Sequence, residues 1–170
     1  MTSYSARIAV GLWVAIGAVV ASSAIAHAIE RKALPPFTLT TLDGRPVSSH
    51  DLIRDGNWLL VSVRPACAPC DTLLRTIDPT VASSVPEHTV VVIVGVDAAT
   101  AARLASGFSD LAGIAWYADP GGAMMDALPV ATAPVVFGMR ASTIEWSLAG
   151  VVPDAVSMQT ALVSWISLGR

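Results

Sequence analysis

An α/β fold, with a central mixed sheet flanked by helices, is predicted from three observations. Two short runs, residues 58–63 and 89–96, are almost wholly apolar and rich in valine, as buried strands are. A stretch with helical spacing lies between them, and strand-helix-strand in that order makes a right-handed βαβ unit with parallel strands. Further on, residues 134–139 and 143–148 read as two strands that form an antiparallel pair.

The elements follow in order. Leu34-Pro35-Pro36 is a stiff lead-in that cannot be helical. Phe37-Thr38-Leu39-Thr40 then alternates, and Asp43-Gly44 supplies the turn of an N-terminal β-hairpin whose return strand begins at Val47. The first buried strand ends at Arg64-Pro65. From Cys67 to about Ser84 the apolar residues Leu73, Leu74, Ile77 and Val81 share a helix face, with Pro79 expected to kink or stop the helix. Residues 100–108 read as another helix and 114–118 as a short strand closed by Asp119-Pro120-Gly121-Gly122. Residues 123–128 suit a short helix. From Pro153, placed for a first helical turn, Ala155, Met158, Leu162, Trp165 and Ile166 mark a closing amphipathic helix.

The chain has 170 residues. Residues 1–30 are set apart as a membrane anchor or signal segment, and 31–170 make one domain with a single core. With 54% hydrophobic and 14% charged residues the chain is too apolar for disorder. The net charge of −3 and scattered lysines and arginines offer no basic stripe, so nucleic acid is excluded as a partner. Residues 8–26 carry no charge and would span about 28 Å as a helix, close to a hydrocarbon core. The segment reads as an uncleaved transmembrane helix, with a cleaved signal peptide at Ala24-Ile25-Ala26 or Ala26-His27-Ala28 as the alternative. Either way the remainder is exported, to a single-pass position at the cell membrane facing the periplasm or exterior, or as a secreted protein.

The two cysteines of the chain stand together as Cys67-Ala68-Pro69-Cys70. A thiol attacks a disulfide as the thiolate, so a reactive cysteine needs its negative charge stabilised. A helix start does this through unpaired N–H groups and the macrodipole. Cys67, directly after a buried strand, is expected at the first helical position with its sulfur exposed. Cys70, one turn on, is the natural resolving thiol, and Pro69 fits the first turn at no cost in hydrogen bonds. Arg64 would favour the thiolate and Asp71 oppose it. Other readings of the pair are weaker. A purely structural bridge closing so small a loop contributes roughly 2 kcal/mol. Zinc would need two further ligands, and His27, His50 and His88 are not paired in spacing. No metal or organic cofactor is expected.

Cys67-Ala68-Pro69-Cys70 after a buried strand, the hairpin Leu34-Pro35-Pro36-Phe37 to Leu42-Asp43-Gly44-Arg45-Pro46-Val47, and Thr132-Ala133-Pro134 before a strand together resemble the TlpA/ResA-like thioredoxin family. Around residues 63–74 the MauD-like branch is at least as similar. The resemblance runs from about Leu34 to the C-terminus and implies a thioredoxin-like fold and a membrane-anchored thiol:disulfide oxidoreductase. Its redox-active disulfide would be Cys67–Cys70. Its clients would be proteins with cysteines, such as apocytochromes c or amine dehydrogenase subunits, and an upstream membrane thiol-disulfide donor or acceptor would restore it. It also implies a cis-proline at Pro134, with Thr132 and Ala133 flanking the client. The sequence departs from the pattern at Arg64-Pro65-Ala66, where relatives carry tryptophan, and at Val61, where thioredoxin has a buried acid. A redox-independent assembly factor holding a client in the same groove is the alternative function.

Overall fold

The computed structural model describes residues 31–77, 86–111, 113–128, 132–150 and 154–169. The proposed anchor at residues 8–26, and Pro79, Val81 and Pro153, lie outside the described residues. The elements are β1 (Lys32–Ala33), β2 (Thr38–Thr41), β3 (Pro46–Ser48), β4 (Asn57–Val63), α1 (Ala68–Thr76), β5 (Thr89–Val94), α2 (Ala98–Ser106), β6 (Ala115–Asp119), α3 (Ala123–Ala127), β7 (Val135–Arg140), β8 (Thr143–Ala149) and α4 (Ala155–Ser167).

The described strands form one sheet in the order β1-β8-β7-β4-β5-β6-β2-β3. β4, β5 and β6 run parallel. β7 pairs antiparallel with β4 and with β8, and the β2/β3 hairpin joins the far side through β6. β4 and β5 are buried at every position, because helices or loops cover both faces of the central sheet. Successive side chains of a strand point to opposite faces, and β4 sorts accordingly. Leu59, Val61 and Val63 join one core with Leu73, Leu74 and Ile77 of α1 and Met158, Leu162 and Ile166 of α4. Trp58 and Leu60 join the other, with Phe137, Met139 and Met124 of α3 and with Leu34, Phe37 and Leu39.

Several boundaries differ from expectation for local reasons. β5 stops at Val94 because Gly95 turns the chain at φ +82°, a conformation that favours glycine. α1 ends at Thr76, with the Ile77 N–H donating to the Leu73 carbonyl, and the rest of the expected stretch to Ser84 lies outside the described residues. α2 begins at Ala98, ahead of Thr100, because Asp97 caps it. Ala155, expected inside, is exposed, whereas Met158, Leu162 and Ile166 are buried. β1, a pair of residues hydrogen-bonded to the edge of β8, has no signature of its own. Gly138 in β7 is required by a close approach: a Cβ there would lie 1.9 Å from the Trp146 ring.

α2 and α4 start on carboxylate caps. The Thr100 N–H donates to Asp97 Oδ1 at 2.8 Å and the Val156 N–H to Asp154 Oδ1 at 3.1 Å. The Thr100 backbone amide holds the Asp97 carboxyl below its ordinary value, and the Ser157 hydroxyl does the same for Asp154. A folded-state value below the unfolded one gives stability that is complete above the unfolded value and disappears as pH falls through the folded one. The thermal midpoint is therefore expected to fall below about pH 4. Asn also caps helices but does not titrate. An Asp97→Asn, Asp154→Asn variant should thus show a shallower acid limb in circular dichroism melts recorded against pH.

Candidate active site

The cysteine pair is set where β4 hands over to α1. After Val63 the chain passes Arg64 and Pro65, then Ala66 takes a left-handed conformation at φ +53°, uncommon for a residue with a Cβ. That turn delivers Cys67 as the N-cap of α1, in extended conformation, one residue earlier than the first helical position expected. As the N-cap, Cys67 accepts what the helix start leaves unpaired. Its carbonyl takes the N–H groups of Cys70 at 2.9 Å and Asp71 at 3.1 Å, and its Sγ takes the Cys70 N–H at 3.2 Å. Pro69 falls in the first turn, where its missing N–H costs nothing.

Cys67 and Cys70 are joined as a disulfide with Cα atoms 5.2 Å apart. The two sulfur-bearing residues are not equivalent. Cys67 is half-buried, while Cys70 is only 1% exposed and belongs to the core beneath α1. The Arg64 N–H also points at Cys70 Sγ, 3.5 Å away. Arg64 and Asp71 themselves are exposed.

Thr132, Ala133 and Pro134 come from the opposite end of the sequence to the same end of the sheet. Ser62 pairs with Val135, so the antiparallel register brings Pro134 alongside Val63, just before the Cys67 loop. The Ala133–Pro134 bond is cis. Pro134 is buried with its carbonyl accepting from the Gly150 N–H at 2.8 Å, Ala133 packs on the core that Cys67 also touches, and Thr132 is exposed.

One part of the site had no sequence signal. A cavity of about 130 Å³ opens beside Cys70, lined by Arg64 and Asp71 and walled by Leu104, Phe108 and Trp116. Phe108 and Trp116 stack with centroids 6.1 Å apart. They follow α2 and open β6, so only the tertiary fold brings them to the cysteines.

Compared by sequence, neither a family model nor any curated protein matches the chain. Compared by structure, it is similar to a secreted Mycobacterium tuberculosis disulfide oxidoreductase homologous to E. coli DsbE, at 20% identity and a TM-score of 0.61, over 78% of this chain and 95% of that one. It is similar also to a thio-disulfide isomerase from Thermus thermophilus, at 16% identity and a TM-score of 0.59, over 79% of this chain and 94% of that one. A third similar structure is the exposed lipoprotein thioredoxin of Streptococcus pneumoniae, at 14% identity and a TM-score of 0.57, over 76% and 99% of the two chains.

The fold is thioredoxin-like.

In this thioredoxin-like domain the cysteine pair follows a central parallel strand. The helix start that holds it and the Pro134 loop beside it frame one end of the sheet. The cysteine spacing points to the pair at that end and only the family resemblance puts Pro134 there, while the cavity and the Ala66 turn carry no sequence signal.

Proposed function

We propose that the chain is an extracytoplasmic thiol–disulfide oxidoreductase acting on client proteins during their maturation, with Cys67 as nucleophile and Cys70 as resolving thiol. One observation carries the reading: a disulfide links a half-exposed helix N-cap to a buried partner one turn on, at the end of a central strand. In the reduced form the N–H groups that now meet Cys67 would stabilise its thiolate. That thiolate attacks a client disulfide, forming a mixed disulfide and expelling one client thiolate. Cys70 then loses its proton and attacks Cys67 Sγ, closing the Cys67–Cys70 bond and expelling the second. The client gains two electrons and the protein loses them; the reverse sequence oxidises a client dithiol.

The exported setting rests on the apolar segment 8–26 and on the secreted and exposed character of two similar structures. On this reading the segment tethers the domain to the membrane. A membrane thiol-disulfide partner restores the pair, and clients are of the cytochrome c or amine dehydrogenase type. Thr132 and Ala133 border the client beside Pro134. A Cys70→Ser variant purified without reductant is expected to carry clients covalently on Cys67, released by dithiothreitol and identified by mass spectrometry. Reactive Cys67 with no trapped protein would defeat the proposal.

A further inference from the structure

The resolving step must dispose of a proton. Cys70 is 1% exposed, and an unperturbed thiol is only about 3% ionised at pH 7, a buried one less. Nothing in β4 accepts this proton. The strand is Asn-Trp-Leu-Leu-Val-Ser-Val, with Val61 wholly buried on the Cys70 side. Ser62 points to the other face, where its hydroxyl donates to Met125 Sδ at 3.4 Å. The buried carboxylate of the sheet, Asp119, has both oxygens engaged by the Ala123 and Met124 N–H groups at 2.8 and 3.0 Å, which makes it a helix cap.

The cavity beside Cys70 offers another route. Its volume of about 130 Å³ is room for several water molecules, each needing about 10–15 Å³. Water also needs polar partners, and here the wall divides. Phe108, Trp116 and Leu104 make the apolar side, while Cys70, Arg64 and Asp71 make the other, and Asp71 is the carboxylate among the lining residues. The other charged groups near it are Arg75, whose guanidinium lies 5.9 Å from the Phe108 ring centre, and Asp110, which lines the next depression together with Arg75 and Phe108.

We propose that water in this cavity carries the Cys70 proton to the Asp71 carboxylate during resolution, which rests on the redox reading above. As the proton leaves, Cys70 Sγ bonds to Cys67 Sγ and the client sulfur departs with the electron pair of the broken bond. In the opposite direction Asp71 returns the proton as Cys70 becomes the leaving group. Asp71 is thus a proton acceptor acting through water, in the place of a buried acid under the pair.

The test uses the full chain, reduced and freed of reductant, mixed with dithiobis(nitrobenzoate) and followed by absorbance. Attack by Cys67 releases one thionitrobenzoate and closure by Cys70 releases the second. Asp71→Asn is expected to slow the second release by about tenfold or more at pH 7 and to move its pH profile upward. The first release should be unchanged or faster, because a negative charge near Cys67 is gone. Asp71→Glu should restore most of the second rate. An unchanged second release, or an equal slowing of both, would overturn the relay while leaving the cysteine pair's role intact. A wild-type protein that gives a first release and never a second would overturn both.

Discussion

Replacing Cys67 by serine is expected to abolish disulfide exchange. A serine hydroxyl is not ionised at neutral pH and does not attack a disulfide, whatever the helix start does for it. The remaining thiol cannot substitute. Cys70 turns its side chain into the core and is only 1% exposed, so it presents almost no surface to a protein disulfide. The fold itself should survive, since a bridge closing a loop this short contributes only about 2 kcal/mol. The measurement is the rate of thionitrobenzoate release by reduced protein, with a circular dichroism melt on the same sample. Exchange retained in Cys67→Ser, but lost in Cys70→Ser, would reverse the assignment of the two sulfurs. Retained biological function in the double serine variant would favour the assembly-factor alternative over the enzyme.

The second large effect concerns stability alone. Phe137 is fully buried in β7, between β4 and β8, in the core that faces away from the cysteines. Its neighbours there include Trp58, Leu60 and Met139, and backbone pairing fixes the strands that carry them, so they close only partly over a missing ring. Phe137→Ala is expected to cost about 3–5 kcal/mol, a large part of a domain's usual margin. The thermal midpoint should fall by roughly 10–15 °C. Below the new midpoint thiol exchange should proceed near the wild-type rate, because Cys67 and Cys70 belong to the other face of the sheet. A loss under about 1 kcal/mol in denaturant titration would mean that the site collapses far more completely than such cores do.

The parts of this architecture that were legible in the amino-acid order are those written locally. β4 and β5 announce themselves as runs of buried residues with a helical period between them, and the cysteine spacing places both sulfurs on one turn. Asp43-Gly44 turns the β2/β3 hairpin, with Gly44 at φ +88°. What escaped depends on contacts between distant segments. The pairing of β2 with β6 and of β1 with β8 is set by which edges remain after the centre is assembled: the alternation of β2 does not name its partner, and the two residues of β1 carry no pattern. The same holds at the site. Cys67 and Cys70 share the first turn of one helix and could be read directly, whereas Phe108 and Trp116 reach Cys70 only because α2 and β6 fold over it. The one-residue shift of Cys67 from first helical position to N-cap follows from Ala66, whose left-handed turn no residue type demanded.

Among the described residues the sheet is finished on each side by a very short strand: two residues in β1, and three in β3 beginning with Pro46. A long unpaired margin is a template on which another polypeptide can add in register, and brevity or proline denies it that purchase. On the β3 side the blunt margin keeps extended segments from annealing along that flank, whereas among the described residues β1 covers only Thr143 and Ile144 of β8.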